Sequence, residues 1–294
     1  MVNLCFLGGV VFLIVKSGGE NETQIKVPAA SVQEKVETPW EKVAVYKLQT
    51  KSARAMAYVR EKDFLVADDS GITAYNEDRK QLGGIPLTGE IVSLAIDKRI
   101  IYAALPRQIV KINGSKIKRW PELDSRTRLT SVVLSGGRLF AADAGNRKVY
   151  CFDANGKKLW ETAGAEGEKF VVPSPYFDMV PDGDSGVWVV NPGRHRIENY
   201  TKDGKFQAQW KPLRANAFSG CCNPAYLGIL SGDRFVTFEK GTVRVKLFAP
   251  SGKMIEYVVP ESGFNPGGFR YDLKVLSDEK IAILDGYAGE IKIY

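Results

Sequence analysis

A chain of 294 residues with 44% hydrophobic and 26% charged side chains and 29 glycines has an ordinary globular composition, which excludes collagen-like, disordered and multi-span membrane classes. Its 41 basic and 34 acidic residues give a net +7; only 3 of the former and 4 of the latter fall in the first 40 residues, so the excess sits on the remainder. That surplus favours anionic partners, yet it is too dilute to demand nucleic acid. One histidine, His195, excludes sites built on two or three imidazoles, and the lack of Cys-x-x-Cys excludes zinc ribbons and covalent c-type haem.

In chain order, the first feature is the apolar run Val2–Val15, closed by Lys16. At this length it suits a signal-peptide core better than a full span of about 20 residues. Residues 1–16 are read as a signal peptide or N-terminal membrane anchor, and residues 17–40 as a polar linker. The protein is expected outside the cytoplasm, on the periplasmic or extracellular side. Membrane contact is expected only through this N-terminal segment.

The rest of the chain repeats itself. Phe64-Leu-Val-Ala-Asp68 with Ile72–Tyr75, Ile101–Ala104 with Ile109–Ile112, and Leu139–Asp143 with Val149–Phe152 align; so do Val187–Asn191 with Ile197–Tyr200, Phe235–Glu239 with Val245–Phe248, and Ile281–Asp285 with Ile291–Tyr294. The units end at Tyr75, Ile112, Phe152, Tyr200, Phe248 and Tyr294, at spacings of 37, 40, 48, 48 and 46. That is the length of a four-stranded propeller blade. Alternating apolar and β-branched residues, with turns such as Asp153-Ala-Asn-Gly156, Asp203-Gly204 and Ser251-Gly252, make each unit β. The expected fold is an all-β, six-bladed propeller over residues 41–294. Because the sixth unit stops after three strands while Val43–Leu48 precedes the first, an N-terminal strand is expected to complete the last blade and close the ring. Trp120, Trp160 and Trp210 end the outer strands of three successive blades and read as packing between blades.

The segments Asp143-Ala-Gly-Asn-Arg-Lys-Val-Tyr-Cys-Phe152 and Asn191-Pro-Gly-Arg-His-Arg-Ile-Glu-Asn-Tyr200 resemble the NHL-repeat six-bladed β-propellers, over residues 43–294. Blade two departs, with Ala104-Leu-Pro-Arg107 where the acidic residue is expected. Ser219-Gly-Cys-Cys-Asn-Pro224 resembles an exported bacterial subgroup of that family. The resemblance implies a fold rather than an activity.

With antiparallel strands running outward from the axis, two sets of loops share one face. It gathers Arg107, Arg147, Lys148, Arg194, His195, Arg196, Lys240 and Arg244 from within blades, and Arg126, Arg128, Arg214, Cys221, Cys222 and Arg270 from between them. From these, Arg107, Arg147, Arg194, His195, Arg214, Arg270, Cys221, Cys222 and the adjacent Asn223 are the candidate binding residues for a protein or a small anionic ligand. Lys148, Arg196 and Arg244 form one repeat column and Asp68, Asp143, Asn191, Glu239 and Asp285 another, an arrangement that equally suits structural pairing. Cys221 and Cys222 suit a vicinal disulfide, soft metal ligands beside His195, a bridge to Cys151, or free thiols.

The chain therefore reads as a non-enzymatic binding or scaffold propeller without a cofactor, with an envelope electron-transfer or assembly system as the expected setting. Two alternatives stand beside it. Asp178 and Asp272 fall in the register of Met56, Ser93, Ser131 and Leu227 on the innermost strands, and with Asn223 they make a thin oxygen set for a Ca²⁺-dependent, lactonase-like hydrolase. The other is a redox or metal-associated role for the Cys221/Cys222 loop.

Overall fold

The computed structural model describes residues 2–7, 10–15, 25–27, 40–59, 63–260, 264 and 270–294. The chain divides into two compact units, Met1–Glu37 and Thr38–Tyr294. In the first, Val2–Leu7, Val10–Val15 and Ile25–Val27 form a three-stranded antiparallel sheet, so a strand lies within the stretch read as linker. Residues 16–24 and 28–39, which make up most of that stretch, lie outside the described residues. No helix among the described residues is long and apolar enough to cross a membrane.

Among the described residues the second unit holds six four-stranded antiparallel sheets and a two-stranded hairpin, Gly164–Ala165 with Glu168–Lys169. Blade one is Ala55–Tyr58, Phe64–Asp68, Gly71–Tyr75 and Gln81–Pro86; blade two Ser93–Asp97, Ile100–Leu105, Gln108–Asn113 and Lys116–Arg119; blade three Leu129–Ser135, Arg138–Asp143, Lys148–Phe152 and Lys158–Thr162. Blade four is Met179–Pro181, Val187–Asn191, Arg196–Tyr200 and Phe206–Trp210; blade five Tyr226–Leu230, Arg234–Glu239, Arg244–Phe248 and Met254–Val259. Blade six is Tyr271–Val275, Ile281–Asp285 and Glu290–Ile293, and its outer strand is Ala44–Lys47, paired from Glu290↔Lys47 to Ile293↔Ala44. The first strands of successive blades touch in a closed ring around the axis.

The core follows from the period-2 geometry of the strands. Second strands are buried on both faces, so they read as continuous apolar runs. In blade three, Leu139 and Ala141 face blade two while Phe140 and Ala142 face blade four. Six apolar clusters result, one at each interface from blades one and two round to six and one. Each fully buried Phe, Leu or Ile in them contributes about 1.5–3 kcal/mol.

The outer rim uses tryptophan against glycine. Gly156, in the last turn of blade three at φ 93°, leaves room for the Trp120 ring of blade two, 2.6 Å from where a Cβ would stand. Gly204 of blade four, at φ 81°, does the same for Trp160 of blade three, 2.8 Å from its Cβ position, and Trp160 Nε1 donates to Lys202 O at 2.8 Å. Trp210 Nε1 donates onward to Ala249 O of blade five at 3.4 Å. The three tryptophans join neighbouring blades, and only glycine tolerates both the positive φ and the ring at those turns.

Candidate functional site: the axial cavity

In the axial register four of the six blades present a polar side chain, Ser93, Ser131, Asp178 and Asp272, while Met56 and Leu227 stand there in blades one and five, and the polar groups stitch neighbouring blades together. Asp272 Oδ2 accepts from the Met56 amide at 2.9 Å, Asp178 Oδ2 from the Leu227 amide at 3.0 Å, and Ser93 Oγ from the Val132 amide at 3.0 Å. Ser131 Oγ donates to Asp178 Oδ1 at 2.8 Å. Blade six is thereby tied to one, four to five, two to three and three to four. The residues expected to share a register do meet at the axis, where buried amides need such acceptors.

Lys274 completes this layer. Its Nζ lies 2.7 Å from Asp272 Oδ1, which also accepts from the Leu273 amide at 2.8 Å. Burial works against the ammonium, but Asp272 and Asp178 together hold its pKa above the usual lysine value. Burial pushes the Asp178 carboxyl up; Lys274 opposes that shift and Asp272 adds to it.

Above this layer a cavity of about 430 Å³ opens where the inner strands begin. Arg54, Arg128 and Arg270, each immediately before the inner strand of blades one, three and six, line its wall with Glu90. Tyr176, Tyr226, Tyr271 and Tyr287 supply the aromatic surface, and Asp178, Asp272 and Lys274 line the cavity too. Tyr176 meets Tyr226 edge-on at 6.0 Å, and the Arg270 guanidinium sits 5.7 Å from the Tyr287 ring centre. Arg54 is spoken for by Asp69 at 2.7 Å and Glu90 at 3.3 Å. Arg270 donates to Lys51 O at 3.1 Å. Burial, with Asp272, Tyr176 and Asp178 nearby, pushes the Tyr226 hydroxyl well above the usual tyrosine pKa, so it stays a neutral hydrogen-bond group.

The calcium alternative can be tested against these donors. Both oxygens of Asp178 and both of Asp272 already accept hydrogen bonds, and an ammonium stands at Asp272 where a metal would have to sit. Asn223 is not in the cavity wall. Its Oδ1 accepts from the Lys240 amide at 2.9 Å and its Nδ2 donates to Ser219 O at 2.5 Å. Asp178, Asp272 and Asn223 do not fit a cation that wants six to eight oxygens. Among the described residues no group of three or more His, Cys, Asp and Glu side chains is placed to hold a metal ion.

Arg270 is the one candidate binding residue that lines this cavity. Arg107 pairs with Glu122 at 2.7 Å, Arg194 donates to Lys169 O at 3.2 Å, and Arg214 is exposed beyond the outer strand of blade four. Arg147 and His195 occupy left-handed turn positions at φ 56° and 51°, and the His195 ring lies edge-on to Phe218 at 6.2 Å. Cys221 and Cys222 are free thiols with sulfurs 3.2 Å apart, and Cys151 is buried between blades three and four, so no bridge joins it to them. The charged and tyrosine cavity residues outside the candidate set include Arg54, Arg128, Lys274 and the four tyrosines. Their signal was positional: all but Tyr287 lie within two residues of the axial register or beside the end of an inner strand, while Tyr287 comes from the turn between the second and third strands of blade six.

The repeat columns turn out to be internal. Across blades three to six a buried polar residue at the end of the second strand bonds the residue seven positions on. Tyr150 donates to Asp143 at 3.0 Å, Asn191 to Glu198 at 2.7 Å, Lys246 pairs with Glu239, and Lys292 donates to Asp285 at 2.8 Å. Arg244 also binds Glu239, at 3.0 Å, and Arg196 binds Glu198 at 2.7 Å, whereas Lys148 turns to Glu161. In blade two the equivalent positions are the apolar Leu105 and Val110, both buried. These pairs hold the loops of one face in shape.

No family model and no curated protein matches the chain. Solved structures do. A streptogramin B lyase aligns at TM-score 0.60 with 12% identity over 97% of this chain and 86% of that one. A virginiamycin B lyase from Staphylococcus aureus aligns at 0.59 with 14% identity over 85% and 98%. A gluconolactonase from Xanthomonas campestris aligns at 0.58 with 14% identity over 85% and 87%. At such identities the likeness speaks for the architecture alone, and the chain is a six-bladed β-propeller.

Proposed function

We propose that this protein is a binding propeller whose axial cavity takes a small anionic ligand with a planar, unsaturated part. The observation that supports this most is the pairing of Arg128 and Arg270 on opposite blades, three and six, over a floor that carries Lys274 and between walls of tyrosine. Guanidinium groups fit carboxylate or phosphate bidentately, and tyrosines give an unsaturated body a surface to lie on at low entropic cost. The segments 143–152 and 191–200 support reading the blades as NHL-type repeats. The apolar run 2–15 supports a protein that works outside the cytoplasm, tethered by its N-terminal segment, and the exposed basic loops support a protein partner on the same face.

The test is a thermal-shift screen of the full chain against aromatic and aliphatic carboxylates and phosphates. Titration of the best compound at two salt concentrations follows, on wild type, Arg128→Glu and Arg270→Glu. Binding that weakens with salt and falls at least about tenfold in each reversal supports the reading. Full affinity in both reversals overturns it.

A second reading, an enzyme acting at the same cavity, is favoured by the lyases and the gluconolactonase among the similar structures. It would have to work through Lys274, Asp178 and the tyrosines rather than through calcium. Turnover of the best-binding compound, lost in Lys274→Met, would move the protein into that class.

A further inference from the structure

The Cys221/Cys222 turn lies outside the cavity wall and owes nothing to the ligand reading above. Its frame is built from both sides. Glu239, buried at the end of the second strand of blade five, accepts from the Ser219 amide at 3.0 Å and the Ser219 hydroxyl at 2.8 Å. The buried Asn223 closes the turn, donating to Ser219 O at 2.5 Å and Lys240 O at 3.2 Å while accepting from the Lys240 amide at 2.9 Å. Between these anchors stand the two sulfurs, 3.2 Å apart, with Cys221 exposed and Cys222 half-buried.

The surroundings of the two thiols differ. Partial burial raises the Cys222 thiol, but the Cys221 thiol, the Ser174 hydroxyl and the Lys240 ammonium outweigh it and hold Cys222 below the usual value. The Cys221 thiol is pushed up, first by its hydrogen bond to Cys222. Of the two thiols, Cys222 gives up its proton the more readily. Cys151, by contrast, is pushed up to about 11 by burial and stays inert.

We propose that Cys221 and Cys222 form a thiol–disulfide exchange site, with Cys222 attacking an external disulfide and Cys221 resolving the mixed disulfide. In the first step the Cys222 thiolate bonds one sulfur of the disulfide and expels the other as a thiolate. In the second, Cys221 gives up its proton and attacks the Cys222 sulfur, the Cys222-to-partner bond breaks, and the partner leaves as a second thiolate. Two electrons pass from the cysteine pair to the external disulfide, which departs as two thiols after taking up protons from Cys221 and solvent; the Cys221–Cys222 disulfide remains. The reverse sequence oxidises an external dithiol.

The test uses the reduced full chain with oxidised glutathione or, separately, a cystine-bridged peptide, quenched by acid alkylation and read by peptide mapping. The expected results are a 221–222 disulfide in wild type, a stable mixed disulfide on Cys222 in Cys221→Ser, and adduct formation slowed about tenfold or more in Cys222→Ser. Reaction with glutathione alone marks a small-thiol couple, and reaction with the peptide alone marks a protein one. Two unreacted thiols in wild type with both probes, or a Cys222→Ser protein that reacts as fast as wild type, would overturn the proposal. The wild-type result does not depend on either variant folding.

Discussion

Lys274 Nζ lies 2.7 Å from Asp272 Oδ1, two residues earlier on the innermost strand of blade six. Alternate residues of a strand share a face, so both groups point to the axis. The ammonium supplies positive charge at the floor of the cavity and binds a carboxylate whose oxygens already hold the Met56 and Leu273 amides. Lys274→Met should leave Asp272 short of its cation and cost about 1.5–3 kcal/mol, the range for a hydrogen bond to a charged group. Urea unfolding measures this, and a loss below 0.5 kcal/mol, within the scatter of ordinary surface substitutions, would show that the pair is incidental.

Asp178 makes a pH signature. Its folded pKa is raised, chiefly by burial. A carboxyl of that kind favours the fold fully below its unfolded pKa near 3.8, and that stability is lost as pH rises through the folded value. Asp178→Asn retains an acceptor for the Leu227 amide and does not titrate. The melting temperature of wild type relative to Asp178→Asn should therefore decline as pH is raised from about 4. A constant difference between the two proteins would contradict the assignment.

Glu239 has the opposite sign. Burial raises its pKa, yet Lys246, the Ser219 amide and Arg244 outweigh that and hold it below the usual 4.5. Lys246 is itself lowered because burial outweighs its pairing, and two cations and two Ser219 donors converge on Glu239. The stability it contributes is present above its unfolded pKa and lost as pH falls through the folded one. Glu239→Gln should be less stable than wild type at neutral pH, with the gap closing in acid. Lys246→Met, which leaves the buried carboxylate to Arg244, should cost about 3 kcal/mol, and an equilibrium unfolding series from neutral to acid pH checks both.

At the rim, Gly204→Ala would set a methyl group 2.8 Å from the Trp160 ring at φ 81°. Overpacking of this kind costs about 1–3 kcal/mol. Exposed Gly183, at φ 90° with nothing near its Cβ position, serves as the control. Gly183→Ala should cost only the backbone term, visible as a smaller drop in melting temperature, and equal drops would remove the tryptophan from the explanation.

Much of this protein was legible in the order of its residues. The spacings of Tyr75, Ile112, Phe152, Tyr200, Phe248 and Tyr294 set the blade count, because each blade needs four strands of near-constant length and cannot bury its faces alone. The common register of Asp178, Asp272, Ser93 and Ser131 was also visible, since alternation fixes which residues of an inner strand reach the axis. What those side chains do there was not. Whether Asp272 meets a metal, a solvent channel or Lys274, and whether Asp178 holds the amide of Leu227, 49 residues away in sequence, depends on how far each inner strand slides against its neighbour. The repeat columns show the same limit. Acid and base positions stood out, but Glu239 took Lys246 and Arg244 whereas Lys148 turned to Glu161, because cross-strand register and the length of the neighbouring loop choose among reachable partners. Arg128, Arg270 and the four tyrosines form one wall because ring closure brings stretches scattered along the chain to a single axis; local sequence carries the residues, and only the closed ring makes them neighbours.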